Sequence, residues 1–275
     1  MGEHWYASPY ANEGEKVPSV TTILQVVNKE YLKPWIAKVE REMCADRMWE
    51  AYEGLRHFEN KEDIYKYITE TSQAYKAVGK EAMSLGSFVH NCIEAYYKVW
   101  AEYFYTLEWD NEYEELSYSC NEAYMMFLSD YYPTDSIKML SAYFKCIKEQ
   151  NITILASERE VHSPLGFAGT LDLIGMVYVI LSVLDIKTGE PQLTTNDKGR
   201  IPYKAIPMEY AMQVEAYRRC PDAWDIEPSG RGIIYLSKKK PGTYYFWHED
   251  LNLQNDIDFN AFASAYNLWK RSKTK

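Results

Sequence analysis

The residue types in Gly166–Gly189, GFAGTLDLIGMVYVILSVLDIKTG, are those of a site that handles a cation and a phosphate. Two apolar runs each carry one carboxylate, Asp172 in LDLIG and Asp185 in VLDIK, and Lys187 lies two positions past Asp185. Side chains alternate along a strand, so Asp185 and Lys187 project to one side and Ile186 to the other. Unpaired buried charge is costly. VILSVLDIK is too apolar for a sheet edge, where an exposed Asp-x-Lys pair would contribute little. Taken singly, Asp172 also fits a turn cap or a partner for an arginine. Taken together, two carboxylates and a lysine on adjacent strands suit a hard divalent cation held by Asp172 and Asp185, with Lys187 beside a phosphate. Glu158 and Glu160 share a face of the preceding strand. Two readings stand for them: Glu160 joins the cation site, or the face is simply solvated.

The elements that must position these residues follow from periodicity and punctuation. VPSVTTILQVV (17–27) opens with a Ser-Val-Thr-Thr start suited to capping a short helix. KPWIAKVEREMCADRMWEAYEGL (33–55) reads as a long helix with Pro34 in its first turn, and Trp35, Ile36, Val39, Met43, Met48 and Tyr52 form its apolar stripe. Helix continues over 61–105 with a break expected near Gly79 or Gly86. Two more helices follow, Asp110–Tyr131 and Ser136–Gln150. At Asn151 the pattern changes to strands: ITILASEREVHS, a turn at Pro164-Leu165-Gly166, then FAGTLDLIGMV and YVILSVLDIK with a hairpin turn over Gly175–Tyr178. A polar loop (188–207) leads to the helix MEYAMQVEAYRRC, a hairpin around Pro241-Gly242, and a closing helix over LNLQNDIDFNAFASAYNLWKRSK.

Composition bounds the function. The chain has 275 residues, 47% apolar and 25% charged, ordinary for a globular protein. No apolar run approaches the ~20 residues of a membrane-spanning helix, and the N-terminus lacks the features of a secretory signal. Cys44, Cys92, Cys120, Cys146 and Cys220 form no CxxC pair, which argues against zinc or an iron–sulfur cluster and for reduced thiols in a cytoplasmic setting. No phosphate-binding motor loop is present. Net charge is −10, yet residues 197–275 hold 13 Lys and Arg against 10 Asp and Glu. Local clusters (Lys198, Arg200, Lys204; Arg218, Arg219; Lys238–Lys240; Lys270–Lys275) permit a basic groove for a phosphate backbone. Of these, Lys198, Arg200, Lys204 and Arg218 are the expected substrate contacts. Lys238–Lys240 reads first as a solvated hairpin and second as a backbone contact.

Four motifs resemble the PD-(D/E)XK nuclease superfamily, and within it the RecB-type exonuclease branch found in phage and mitochondrial exonucleases. Gly86-Ser87-Phe88-Val89-His90 with Glu94 is similar to the GxxxHxxxE helix motif. Gly169-Thr170-Leu171-Asp172 resembles the strand that carries a metal-binding Asp, and Asp185-Ile186-Lys187 the (D/E)xK signature. Gln213-Val214-Glu215-Ala216-Tyr217 resembles the QxxxY helix motif of the branch. VPSVTTIL and KPWIAK look like the opening of phage exonucleases, from which a phage-encoded protein in a host cytoplasm is an expectation.

The resemblance implies an α/β (α+β) fold with a restriction-endonuclease-like αβββαβ core and a large helical N-terminal portion. It divides the chain into a helical region at 1–85 and a nuclease core at 86–275, with a helical insertion at 106–150 and a C-terminal helix. It implies hydrolysis of DNA from strand ends with Mg²⁺ or Mn²⁺. Asp172, Asp185, the Ile186 carbonyl and His90 would be the ligands, and Lys187 would assist attack by water. Gln213 and Tyr217, four apart on one helical face, would face the site, Gln213 orienting Lys187 or water and Tyr217 touching the DNA strand. Without the resemblance, His90 with Glu94, or Gln213 with Tyr217, is an ordinary polar or amphipathic helix face. An endonuclease on the same fold, a silent DNA-binding module and an RNA substrate remain alternatives.

Overall fold

The computed structural model describes residues 3–27, 32–54, 57–69, 74–104, 134–191, 206–220, 227–250 and 252–274. The expected helix over Asp110–Tyr131 lies outside the described residues. The chain forms two compact units, Met1–Val27 with Phe88–Lys275, and Asn28–Ser87.

In the first unit, β1 (Trp5–Ala7) and β2 (Lys16–Pro18) pair antiparallel and lead into the short helix α1 (Val20–Ile23). Ser19 caps α1 as its position implied, its hydroxyl accepting the Thr22 N–H at 2.9 Å. Five strands then make one sheet, β3 (Ile152–Ser163), β4 (Phe167–Val177), β5 (Ile180–Thr188), β6 (Gly230–Leu236) and β7 (Tyr244–Asp250), side by side in that order. β5 and β6 are parallel and every other pair is antiparallel. The part of helix α4 (Ala74–Phe104) from Phe88 onward, and helices α5 (Thr134–Glu149), α6 (Met208–Arg218) and α7 (Leu253–Lys273), accompany the sheet. The succession α4, β3, β4, β5, α6, β6 is the αβββαβ order that the motifs implied.

The parallel pair dictates the architecture. A strand returning parallel needs a crossover, and α6 lies within it, against β4, β5 and β6. Ile174 and Val183 of the sheet, Met212 and Ala216 of α6, and Phe262 and Ala265 of α7 close one core together with Val20 and Ile23. Helix α5 packs across β3, β6 and β7 with Met139, Leu140, Tyr143 and Cys146 buried. It is tied to α4 by the Tyr97–Tyr143 hydroxyl pair at 2.9 Å. No helix among the described residues is long and apolar enough to cross a membrane.

In the second unit, α2 (Leu32–Tyr52) and α3 (Lys61–Thr69) meet around Tyr67, whose carbonyl accepts from Arg47 at 3.1 Å and whose hydroxyl donates to Glu50 at 3.0 Å. Of the apolar stripe read on α2, Ile36 and Val39 are half-buried, whereas Met43, Met48 and Tyr52 are exposed. Nor does the helix break at Gly79 or Gly86, both of which lie inside α4.

The β4–β5 turn also differs from the expectation. It sits at Tyr178-Val179, with Tyr178 at φ 53°, whereas Gly175 to Val177 are still in β4. Gly175 answers to a neighbour instead of a turn. A Cβ there would lie 2.4 Å from the Thr153 carbonyl oxygen, beside the register shift between Ile154 and Ala156. Gly175→Ala is therefore expected to cost about 1–3 kcal/mol in a urea unfolding titration. An unchanged midpoint would mean that β3 does not approach this closely.

Candidate functional site

Strand register assembles the site. β3 pairs Ser157 with Leu173 and Arg159 with Leu171, so Glu158 falls opposite Asp172. β4 pairs with β5 from Val177–Ile180 down to Leu173–Leu184 and then stops. One step further along that register, Asp172 faces Asp185. There a side chain replaces the ladder: Asp172 Oδ2 accepts the Ile186 N–H at 2.7 Å. Glu158, Asp172 and Asp185 thus form a row across three strands at the point where β4 and β5 part.

Asp185 and Lys187 sit two apart on β5 and pair, Oδ2 to Nζ, at 2.6 Å. Burial pushes the Asp185 carboxyl up, to about 6, against the pull of Lys187. Burial alone would lower the lysine, but Asp185 and Asp172 outweigh it and hold the ammonium above its ordinary value. Both groups are charged at neutral pH. Gln213 bridges them from α6, its Nε2 donating to Asp185 Oδ1 at 3.0 Å and its Oε1 accepting from Lys187 at 3.4 Å. The Tyr210 ring lies 4.9 Å beneath the ammonium.

Tyr217, one turn on, accepts from Gln213 Nε2 at 3.4 Å. Burial first, then Asp185, raises its pKa well above the ordinary phenol value, so it stays protonated. Its ring fills the space over Gly169, where a Cβ would come within 2.5 Å of Cε1. The side chain is buried, which corrects the expectation that it touches a DNA strand: it supports Gln213 from inside the core.

His90 of α4 reaches the same place. Its Nε2 lies 3.0 Å from the Ile186 carbonyl oxygen and its Nδ1 lies 3.7 Å from Asp172 Oδ2. A carbonyl only accepts, so Nε2 is the donor to Ile186 and Nδ1 is the ring nitrogen on the Asp172 side. One ligand atom each from His90, Glu158 and Asp172 fall within 4.8 Å of one another. The Glu158 carboxyl is pushed up to about 7, by burial first and then by Asp172 and Glu94, with Lys98 opposing. Among the described residues Lys187 pairs with Asp185, and Glu158 keeps the negative neighbours Asp172 and Glu94 with Lys98 opposing them. Oxygen and imidazole donors beside excess negative charge fit Mg²⁺ or Mn²⁺.

Several residues fall elsewhere. Glu160 pairs with His162 at 3.2 Å on an exposed part of β3 and stays out of the row, so it is Glu158, at φ 48°, that joins. Glu94 pairs with Lys98. Arg218 is not a substrate contact. It is buried, bound to Glu215 at 2.8 and 3.0 Å, to Glu227 at 2.7 Å and to the Pro228 carbonyl at 3.0 Å, so its charge is spent inside the protein. Lys198, Arg200 and Lys204 lie outside the described residues. Tyr210 was not anticipated at all; its place one turn before Gln213 was the available signal.

No family model matches the chain, and no curated protein matches it. Solved structures with some likeness include an alkaline exonuclease (LHK-Exo) from Laribacter hongkongensis, 16% identical, with 48% of this chain and 68% of that one covered at a TM-score of 0.29. The same exonuclease in complex with dAMP gives 15% identity, the same coverage and a TM-score of 0.28. The protein SSO0001 is 14% identical, with 67% and 86% covered at a TM-score of 0.26.

Two substitutions probe the site. Gly169→Ala is expected to displace the Tyr217 ring and cost about 1–3 kcal/mol in chemical unfolding. Wild-type stability would show that the ring yields freely. Glu158 has a folded pKa above its unfolded one, so its contribution favours folding below the usual carboxylate range and is lost as pH rises through about 7. In EDTA, Glu158→Gln should gain about 1 kcal/mol over wild type at pH 8, the half-buried setting screening the full shift, and no advantage near pH 4. A pH-independent difference would contradict this.

Proposed function

We propose that this chain is a divalent-metal-dependent nuclease that hydrolyses DNA from strand ends. The observation that carries the proposal is the carboxylate row Glu158–Asp172–Asp185, built where β4 and β5 part, with Lys187 paired to Asp185. Asp172, Glu158 and His90 Nδ1 would hold the ion, with Asp185 and the Ile186 carbonyl on the same strand edge. When bound, such an ion supplies Lewis acidity toward phosphate oxygen and water. The chain's residues do the rest. Lys187, kept protonated, offsets charge that develops on the scissile phosphate. Gln213 holds the lysine against Asp185 and limits its rotamers, and Tyr217 fixes Gln213. The preference for strand ends rests on the motif resemblance to RecB-type exonucleases.

Asn is the cleaner substitution at Asp172, because Ala would orphan the Ile186 N–H. Removing Lys187 alone would leave Asp185 as an uncompensated buried charge. Asp172→Asn, and the double variant Asp185→Asn with Lys187→Met, are expected to lower the rate on end-labelled linear DNA at least about 100-fold with Mg²⁺ or Mn²⁺, while DNA binding in EDTA persists. Wild type should spare circular DNA and be silent in EDTA. Undiminished cleavage by either variant would overturn the assignment. Cleavage of circles would make the enzyme an endonuclease, cleavage of RNA alone would change its substrate, and binding without any cleavage would make it a binding module. Mn²⁺ should also raise the melting temperature of wild type at pH 8 and leave Asp172→Asn unmoved.

A further inference from the structure

The hairpin joining β6 to β7 carries Lys238, Lys239 and Lys240 in succession on a chain whose net charge is −10. Its position follows from the one parallel pair in the sheet. Lys187 is in register with Tyr235 and Thr188 with Leu236, so the hairpin leaves the sheet at the same edge as the Asp-x-Lys strand. At a rise of ~3.3 Å per residue, Lys239, four residues past Tyr235, stands on the order of 13 Å from the level of Lys187, about four steps of a nucleic-acid duplex.

The segment that follows the catalytic strand locks this hairpin. Gly189 N–H donates to the Leu236 carbonyl at 2.9 Å. Glu190 Oε1 accepts from the Ser237 hydroxyl at 2.6 Å and from the Lys239 N–H at 2.9 Å. The Ser237 hydroxyl oxygen accepts the Lys240 N–H at 2.9 Å, and the Thr243 N–H reaches the Lys240 carbonyl at 3.0 Å. Gly242, at φ 94°, closes the turn. A carboxylate beside three lysines would ordinarily neutralise them; here Glu190 spends one oxygen on the turn's backbone and on Ser237. The Lys239 and Lys240 side chains are exposed, and Lys238 is half-buried. Gly242 also lies beside Lys138 of α5, itself paired with Asp135 at 3.7 Å. Lysine side chains on a loop usually cost entropy to hold; a turn fixed by a buried serine and a glutamate removes part of that cost before any ligand arrives.

Resting on the nuclease reading above, we infer that the Lys238–Lys240 turn is a backbone-phosphate contact for the nucleic-acid substrate, a few nucleotides from the scissile bond, with Glu190 as the residue that positions it. The chemistry is that of ammonium groups on successive phosphates, which is independent of base sequence and sensitive to salt. It raises affinity for long strands and leaves the reacting centre alone.

The test compares wild type, Lys239→Gln with Lys240→Gln, and Glu190→Ala, each with circular dichroism to confirm folding. Binding of fluorescein-labelled DNA duplex is measured by anisotropy in EDTA, so that no cleavage intervenes. The double variant should bind about tenfold more weakly, and the slope of log affinity against log salt should fall by about 1.8 for two lost duplex contacts. Glu190→Ala should weaken binding about threefold although it removes a negative charge; tighter binding would overturn the positioning role. An unchanged salt slope in the double variant would overturn the contact itself. Hydrolysis of the p-nitrophenyl ester of thymidine 5′-phosphate, too short to reach the turn, should proceed equally in wild type and double variant, and a selective loss in the double variant would contradict the inference. If wild type hydrolyses neither this ester nor linear DNA when Mg²⁺ or Mn²⁺ is supplied, while the salt slope still falls in the double variant, the nuclease reading fails and the backbone contact stands.

Discussion

Three carboxylates in one row with a single lysine among them are electrostatically unfavourable, and much of the core is arranged around that fact. The row exists because β3, β4 and β5 are in a register that sets Glu158 against Asp172 and Asp172 toward Asp185. It lies where β4 has stopped pairing with β5 one residue earlier and given up a ladder bond. Asp172 makes good that loss through its side chain, and so is both a structural acceptor and a candidate ligand. Burial and mutual repulsion push Glu158 up to about 7. A divalent cation is the natural relief for such a site, because it satisfies several oxygens with one desolvated charge.

The second constraint is the placement of α6, which must aim Gln213 and Tyr217 at the row. Its other side is fixed by an internal charge network. Glu215 is fully buried; burial alone would raise its pKa, and Arg218, Arg219 and Arg231 together hold it below the ordinary range. Arg231, also fully buried, joins the Ala211 carbonyl at 3.2 Å, Glu249 of β7 at 3.0 Å and Asp258 of α7 at 2.5 Å. Buried ion pairs are weak sources of net stability. Their directional bonds do fix how a helix lies against its neighbours, and here the helix carries the residues that hold Lys187. Gly169 completes the arrangement by letting the Tyr217 ring approach β4.

Much of this was legible in sequence, for a physical reason. A period-2 pattern with a carboxylate inside an apolar run reports both strand and face, so β3, β4, β5, Asp172, Asp185 and Lys187 could be read directly. The capping Ser19, the Pro241-Gly242 hairpin and the closing helix obey local rules and matched. What could not be read depends on partners far along the chain. Gly175 signals a turn locally but serves the close approach of β3, and the turn went to Tyr178-Val179, which carries no turn residue. Glu158 and Glu160 are indistinguishable by alternation; only the pairing with Asp172 separates them. Arg218 looks like a free cation until Glu215, Glu227 and Pro228 surround it. The stripe on α2 had the right spacing, yet Met43, Met48 and Tyr52 remain exposed.

The most direct measurement is anomalous diffraction from crystals of the full chain grown or soaked with Mn²⁺ near pH 8. An anomalous peak is expected at coordination distance, about 2.2 Å, from an Asp172 carboxylate oxygen, with Glu158 or His90 completing the shell. Asp172→Asn crystals treated alike should lack it. A peak elsewhere on the molecule, or none while Glu158 and Asp172 keep their present positions, would contradict the claim that the carboxylate row is built for a metal ion.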